Sequence, residues 1–89
     1  MNISPLASVH PKATIEKDVV IEPFAHIHED VIIGEGTKIH SNAVLYPGTR
    51  IGKHCEIFPG AVVGVIPQDL KFEGEYTLVE IGDHTIIRE

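Results

Sequence analysis

The chain has no tryptophan and a single cysteine, and only 6% of its 89 residues are aromatic. One cysteine excludes an internal disulfide framework. The aromatic rings of Phe24, Tyr46, Phe58, Phe72 and Tyr76 are too few and too dispersed to stack successive bases. Lysine and arginine number 7 against 13 acidic residues and never cluster, leaving a net charge of −6. Nucleic-acid binding needs concentrated positive charge, so no nucleic-acid partner is expected. No apolar run is long enough to span a bilayer. The N-terminal Met-Asn-Ile-Ser-Pro-Leu-Ala lacks the basic start and apolar core of a secretion signal, which makes the cytoplasm the expected location. One small domain, 43% hydrophobic, fits what remains.

What the chain does have is a period of six. Isoleucine, valine or leucine stands at Ile3, Val9, Ile15, Ile21, Ile27, Ile33, Ile39, Leu45, Ile51, Ile57 and Val63. A strand repeats every two residues and a helix every 3.6, so neither alone sustains this spacing. Short strands and turns winding into an all-β parallel β-helix do. Small residues fill a second inward position at Ala7, Ala13, Ala25, Thr37, Ala43, Thr49, Cys55 and Ala61. Three hexads per turn make residues 18 apart stack, as Ala7, Ala25, Ala43 and Ala61 do beside Ile3, Ile21, Ile39 and Ile57. Periodicity alone does not set the hand of the coil. Cys55 falls in the small inward column and reads as core filler, away from the exposure that a reactive thiol wants.

The array is interrupted after Val63. If residues 68–80 continued the wall in frame, Asp69 and Glu75 would point inward. An unpaired carboxylate there costs several kcal/mol, against about 1.5–3 kcal/mol gained by burying an isoleucine. About twelve residues near 69–80 are therefore expected to loop out between the second and third faces of coil four. The tag Ile33-Gly34 and Ile51-Gly52 resumes at Ile81-Gly82, with Thr85 joining the Val19, Thr37, Cys55 column. The expected coils are 3–20, 21–38, 39–56 and 57–86. The array stops at Glu89, midway through a hexad and without a cap. Solenoid ends expose strand edges and core, so the chain is expected to be the N-terminal portion of a longer protein.

Inserts on rigid scaffolds tend to carry binding residues. Gln68, Asp69 and Lys71 place an amide, a carboxylate and an ammonium within four residues, suited to a polyhydroxy and anionic substrate. On composition alone an ordinary solvated loop is the simpler reading. The stretch Pro67-Gln68-Asp69-Leu70-Lys71-Phe72-Glu73-Gly74-Glu75, followed by Val79-Glu80-Ile81-Gly82-Asp83 and Ile87-Arg88-Glu89, resembles the acyl-carrier-protein:UDP-N-acetylglucosamine O-acyltransferases of lipid A biosynthesis. The N-terminal hexads resemble them too, but many acyl- and acetyltransferases share hexads. The loop and the Val-Glu-Ile-Gly after it are far more specific.

The resemblance implies a left-handed parallel β-helix, a homotrimer and active sites in the clefts between subunits. It implies transfer of an (R)-3-hydroxyacyl group from acyl carrier protein to the sugar 3-hydroxyl of UDP-N-acetylglucosamine, with no cofactor. Gln68 and Asp69 would contact substrate, with Lys71 at the same site. The family's catalytic histidine lies on a later coil, so these 89 residues alone are expected to be inactive. The acidic balance shows no docking surface for an acidic carrier protein, and acyl chain length is not legible. A related hexapeptide acyltransferase, such as an N-acyltransferase of the same pathway, shares the scaffold.

Two other classes compete. Six histidines invite a metal site of the γ-type carbonic anhydrase kind. His10 and His28 stack 18 apart and His40 stacks over Glu22, whereas zinc needs at least three converging protein ligands. Outward, solvated histidines and no metal are the expectation. A non-enzymatic β-helical scaffold or binding module would account for the missing base and uncapped end. It would gain nothing from the loop.

Overall fold

The computed structural model describes residues 2–64 and 78–89, and its strands follow the six-residue pattern. Each strand is two or three residues long. The first sheet stacks β1 (Asn2–Ile3), β4 (Val20–Ile21), β7 (Lys38–Ile39), β10 (Glu56–Ile57) and β13 (Ile86–Ile87). The second stacks β2 (Ser8–Val9), β5 (His26–Ile27), β8 (Val44–Leu45) and β11 (Val62–Val63). The third stacks β3 (Thr14–Ile15), β6 (Ile32–Ile33), β9 (Thr49–Ile51) and β12 (Val79–Ile81). All pairings are parallel, and successive strands of the chain fall on successive faces, so the backbone winds as a three-sided parallel β-helix. Among the described residues no helix is long and apolar enough to cross a membrane.

The register is the one that the aliphatic column demands. Ile3 pairs with Ile21, Ile21 with Ile39 and Ile39 with Ile57. Ile21, Ile27, Ile33, Ile39, Leu45 and Ile57 are at most 1% exposed. Ala25, Ala43, Cys55 and Ala61 fill the second inward column, joined by Val19 and Val31. Two threonines share this interior, and neither is left unsatisfied. Thr37 Oγ1 donates to the Gly52 carbonyl at 2.8 Å and accepts from the Cys55 amide at 3.1 Å. Thr49 Oγ1 donates to the Tyr46 carbonyl at 2.7 Å. Buried hydroxyls so paired avoid the desolvation penalty that makes orphaned ones costly.

From Asp18 to Gly60 every corner turns through a left-handed residue. Positive φ recurs at Asp18, Phe24, Asp30, Gly36, Asn42, Gly48, His54 and Gly60, a step of six throughout. Glycine, asparagine and aspartate tolerate this region; a bulky side chain does not. Phe24 at φ 68°, His54 at φ 54° and His84 at φ 60° depart from that set, histidine being more often found there than phenylalanine. The Ile-Gly tag of the third face has a different cause, close approach of successive coils. A Cβ on Gly34 would lie 2.6 Å from the Gly52 carbonyl carbon, and one on Gly52 would collide with Asp83.

The wall resumes earlier than the sequence suggests. The expected loop runs to residue 80, but Val79 and Glu80 belong to β12, with Val79 paired to Thr49, Glu80 to Arg50 and Ile81 to Ile51. The Val79 amide donates to the Gly48 carbonyl at 2.9 Å, while Val79 packs on the core and Glu80 faces out. That in-out-in alternation is what a strand on this face requires. The part of the expected loop from 69 to 77 lies outside the described residues.

Ile39 sits at the centre of the first sheet with no exposed surface. Ile39→Asp is expected to abolish the cooperative thermal transition, because an unpaired buried charge costs more than a small domain can spare. A far-ultraviolet melting curve matching the parent would contradict the inward column.

Candidate functional site

The candidate substrate residues Gln68, Asp69 and Lys71 lie outside the described residues; the points that anchor their segment do not. Val63 closes β11 over Leu45, and its carbonyl accepts from the Tyr46 amide at 2.9 Å. Gly64 follows at φ 95°, where a Cβ would press on Thr49 Oγ1 at 2.7 Å and Tyr46 Cβ at 3.1 Å. The chain re-enters at Leu78 and pairs Val79 over Thr49. In the coil beneath, Leu45 and Thr49 are joined by Tyr46, Pro47 and Gly48 alone. The longer stretch thus leaves and returns at one corner, between the second and third faces, on a rigid base.

The first face carries a connected polar row. His40 presents Nδ1 to Glu22 Oε1 at 3.1 Å and Nε2 to Glu56 Oε2 at 2.7 Å, with only 17% of its side chain exposed. The Ser41 amide also donates to Glu22 at 3.3 Å, and Lys38 reaches Glu22 at 3.9 Å. The His40 ring tilts against Phe58, 5.3 Å between centroids, and Arg88 lies 4.6 Å over the same Phe58 ring. A solvated histidine was the expectation; instead a carboxylate faces each ring nitrogen. With a carboxylate against each ring nitrogen, His40 bridges three rungs of the first sheet, and both nitrogens are occupied by structural contacts. The stacking of His40 over Glu22 is legible at a spacing of 18, whereas Glu56 reaches His40 diagonally at 16 and is missed by that rule.

The second face holds the other histidines of interest. His28 stacks on His26 at 4.2 Å and on Tyr46 at 4.8 Å. His10 lies on the rung next to His28, as their spacing of 18 predicts, and its Nδ1 accepts from the Lys12 amide at 3.0 Å. At another corner, His54 and His84 stack 5.5 Å apart. Asp30 and Arg50 pair at 2.9 Å beside the third face. Among the described residues no three His, Cys, Asp or Glu side chains converge to hold a metal ion. Cys55 is buried, with Sγ 3.1 Å from the Gly82 carbonyl, which matches its reading as core filler.

Burial lowers the His28 pKa below its usual 6.5, and the neighbouring His26 and His10 lower it further, against a smaller opposing effect of Glu29. The folded state therefore favours the neutral ring. That contribution is fully present above the unfolded pKa near 6.5 and is lost as pH falls through the folded value. His28→Gln is expected to flatten part of the fall in melting temperature between about pH 7.5 and about pH 5. An unchanged pH slope would contradict the assignment.

Comparison with known proteins agrees with this geometry. The model of the bacterial transferase hexapeptide (six repeats) matches residues 12–47 and 30–64. The acyl-[acyl-carrier-protein]–UDP-N-acetylglucosamine O-acyltransferase of Chlamydia trachomatis serovar L2 is 64% identical over 28 residues, covering 32% of this chain and 10% of that protein. The solved UDP-N-acetylglucosamine acyltransferase of Bacteroides fragilis 9343 superposes with a TM-score of 0.88 at 55% identity, over 97% of this chain and 34% of that one. The enzyme of that name from Francisella novicida superposes with a TM-score of 0.88 at 40% identity, over 98% of this chain and 32% of that one. The chain thus spans about a third of the length of these solved relatives, and its solenoid is the left-handed β-helix that they share. With its hexads matched from Lys12 to Gly64 and its coils superposing on those enzymes, the chain belongs to the bacterial transferase hexapeptide family.

Proposed function

We propose that this chain is the N-terminal part of an acyltransferase that moves an (R)-3-hydroxyacyl group from acyl carrier protein to the 3-hydroxyl of UDP-N-acetylglucosamine. In this reading it works in the cytoplasm as a homotrimer, at the first step of lipid A biosynthesis. The observation that carries the reading is 55% identity to the Bacteroides fragilis enzyme across 97% of the chain.

The reaction needs a base, an electrophile and a place for negative charge. A neutral histidine on a coil outside these 89 residues takes the proton from the sugar 3-hydroxyl as its oxygen attacks the thioester carbonyl. A backbone N–H stabilises the oxyanion, and its collapse forms the ester and expels the carrier's thiol. Gln68, Asp69 and Lys71 hold the sugar nucleotide and acyl chain in reacting geometry. Positioning of this kind supplies much of the barrier reduction in a two-substrate transfer.

The test uses the intact protein encoded by the full reading frame, with hydroxyacyl carrier proteins of several chain lengths and mass detection of the acylated sugar nucleotide. Transfer by the intact protein and none by the 89 residues alone is the expected result. Failure with every chain length would remove the assignment. In the intact protein Asp69→Ala is expected to reduce turnover by about tenfold or more, the effect of losing one charged positioning contact. The melting temperature should stay within about 2 °C of the parent, as for substitutions outside a core. Full activity with a lowered melting temperature would reassign Asp69 to stability.

A further inference from the structure

Arg50 and Arg88 are the only arginines of the chain, and Arg50 turns its guanidinium back to a corner of the neighbouring coil. Nη2 donates to Asp30 Oδ1 at 2.9 Å and Nη1 to the Asp30 carbonyl at 2.6 Å. Nη1 also lies 3.3 Å from the Thr49 carbonyl. One side chain thus grips a carboxylate and a peptide group together, which a planar fork can do and an ammonium cannot. The gripped peptide is itself part of a turn. Asp30 is a left-handed corner residue at φ 57°, and the same carbonyl accepts the Gly48 amide at 2.9 Å.

This corner is the one that residues 65–77 leave and rejoin. The turn of Tyr46 to Thr49 is closed by the Thr49 amide and Oγ1, which donate to the Tyr46 carbonyl at 3.3 and 2.7 Å. On the leaving side, Thr49 Oγ1 lies 3.4 Å from the Val63 carbonyl and leaves Gly64 no room for a Cβ. On the returning side, the Gly48 carbonyl accepts the Val79 amide at 2.9 Å, and Glu80 is the rung neighbour of Arg50. A run of bonds therefore leads from Arg50 and Asp30 through Gly48 to Val79. Partly exposed ion pairs contribute little to stability, so what this one offers is orientation.

We propose that Arg50 and Asp30 are positioning residues for acyl transfer. They act without touching substrate, by fixing the turn on which both ends of the segment carrying Gln68, Asp69 and Lys71 are seated. A displacement of about 1 Å in a positioning group can cost about a hundredfold in rate, so a loosened corner is felt in turnover before it is felt in folding. The chemistry of this inference rests on the proposed function; its geometry rests on the described corner.

The test is steady-state transfer by the intact protein and by Arg50→Gln and Arg50→Lys, each alone and combined with Asp69→Ala. Arg50→Gln removes the fork and is expected to lower kcat roughly tenfold. Its melting temperature should stay within about 4 °C of the parent. Arg50→Lys keeps the charge without the fork and should recover only part of the loss. Asp30→Asn tolerates the left-handed turn, should act in the same direction, and decides the matter if Arg50→Gln does not fold. Because Arg50 acts through the segment, its loss should cost a smaller factor in kcat once Asp69 is already alanine. A merely structural residue would cost the same factor in both backgrounds. Equal factors, or folded Arg50 and Asp30 variants with the parent's kcat, overturn the positioning role alone. An intact parent that transfers no acyl group overturns the proposed function, and this role with it.

Discussion

Everything in this molecule depends on one large aliphatic side chain pointing inward at every sixth residue. A single such side chain contributes about 1.5–3 kcal/mol on burial. Ordering the backbone of six residues costs more than that. No hexad can therefore hold its shape alone, and each relies on the coil above and below. The strands show how strict this dependence is, since none exceeds three residues. Such short segments have no pairing strength of their own and take their register from the column beneath.

The same dependence explains where the sequence was readable. Any residue that must match its neighbour 18 positions away leaves a periodic trace, so the inward isoleucines, the alanine column and the Ile-Gly tag could be assigned from spacing. The faces of the prism, the stacking of His40 over Glu22 and the core role of Cys55 follow by the same arithmetic. Contacts that run diagonally leave no such trace. The reach of Glu56 to His40 and the stacking of His28 on His26 depend on rotamers, and periodicity is blind to those. The end of the expected loop differs from the observed strand for a related reason. Glu80 looks like loop chemistry by type, yet in Val-Glu-Ile it is simply the outward residue of a strand. The residues on which substrate binding is proposed, Gln68, Asp69 and Lys71, were legible only through family resemblance.

Polar chemistry on the described surface is mostly structural. The Glu22–His40–Glu56 row and the Asp30–Arg50 pair each tie strands of successive coils together. They stiffen faces whose strands are too short to resist sliding, and they engage the polar groups that a substrate would need free. This division of labour fits a scaffold that builds its reactive groups elsewhere. Among the described residues it also places these charged pairs on the first and third faces, while the second carries the His26–His28–Tyr46 ring stack.

The anchoring of residues 64–78 has a wider consequence. Val63 and Val79 stand on rungs that the coil below joins with three residues, so one corner of the ladder accepts chains of different length between the same two rungs. A solenoid wall of this kind admits insertion at a corner, because register is set by the rungs on either side and not by the length of chain that joins them.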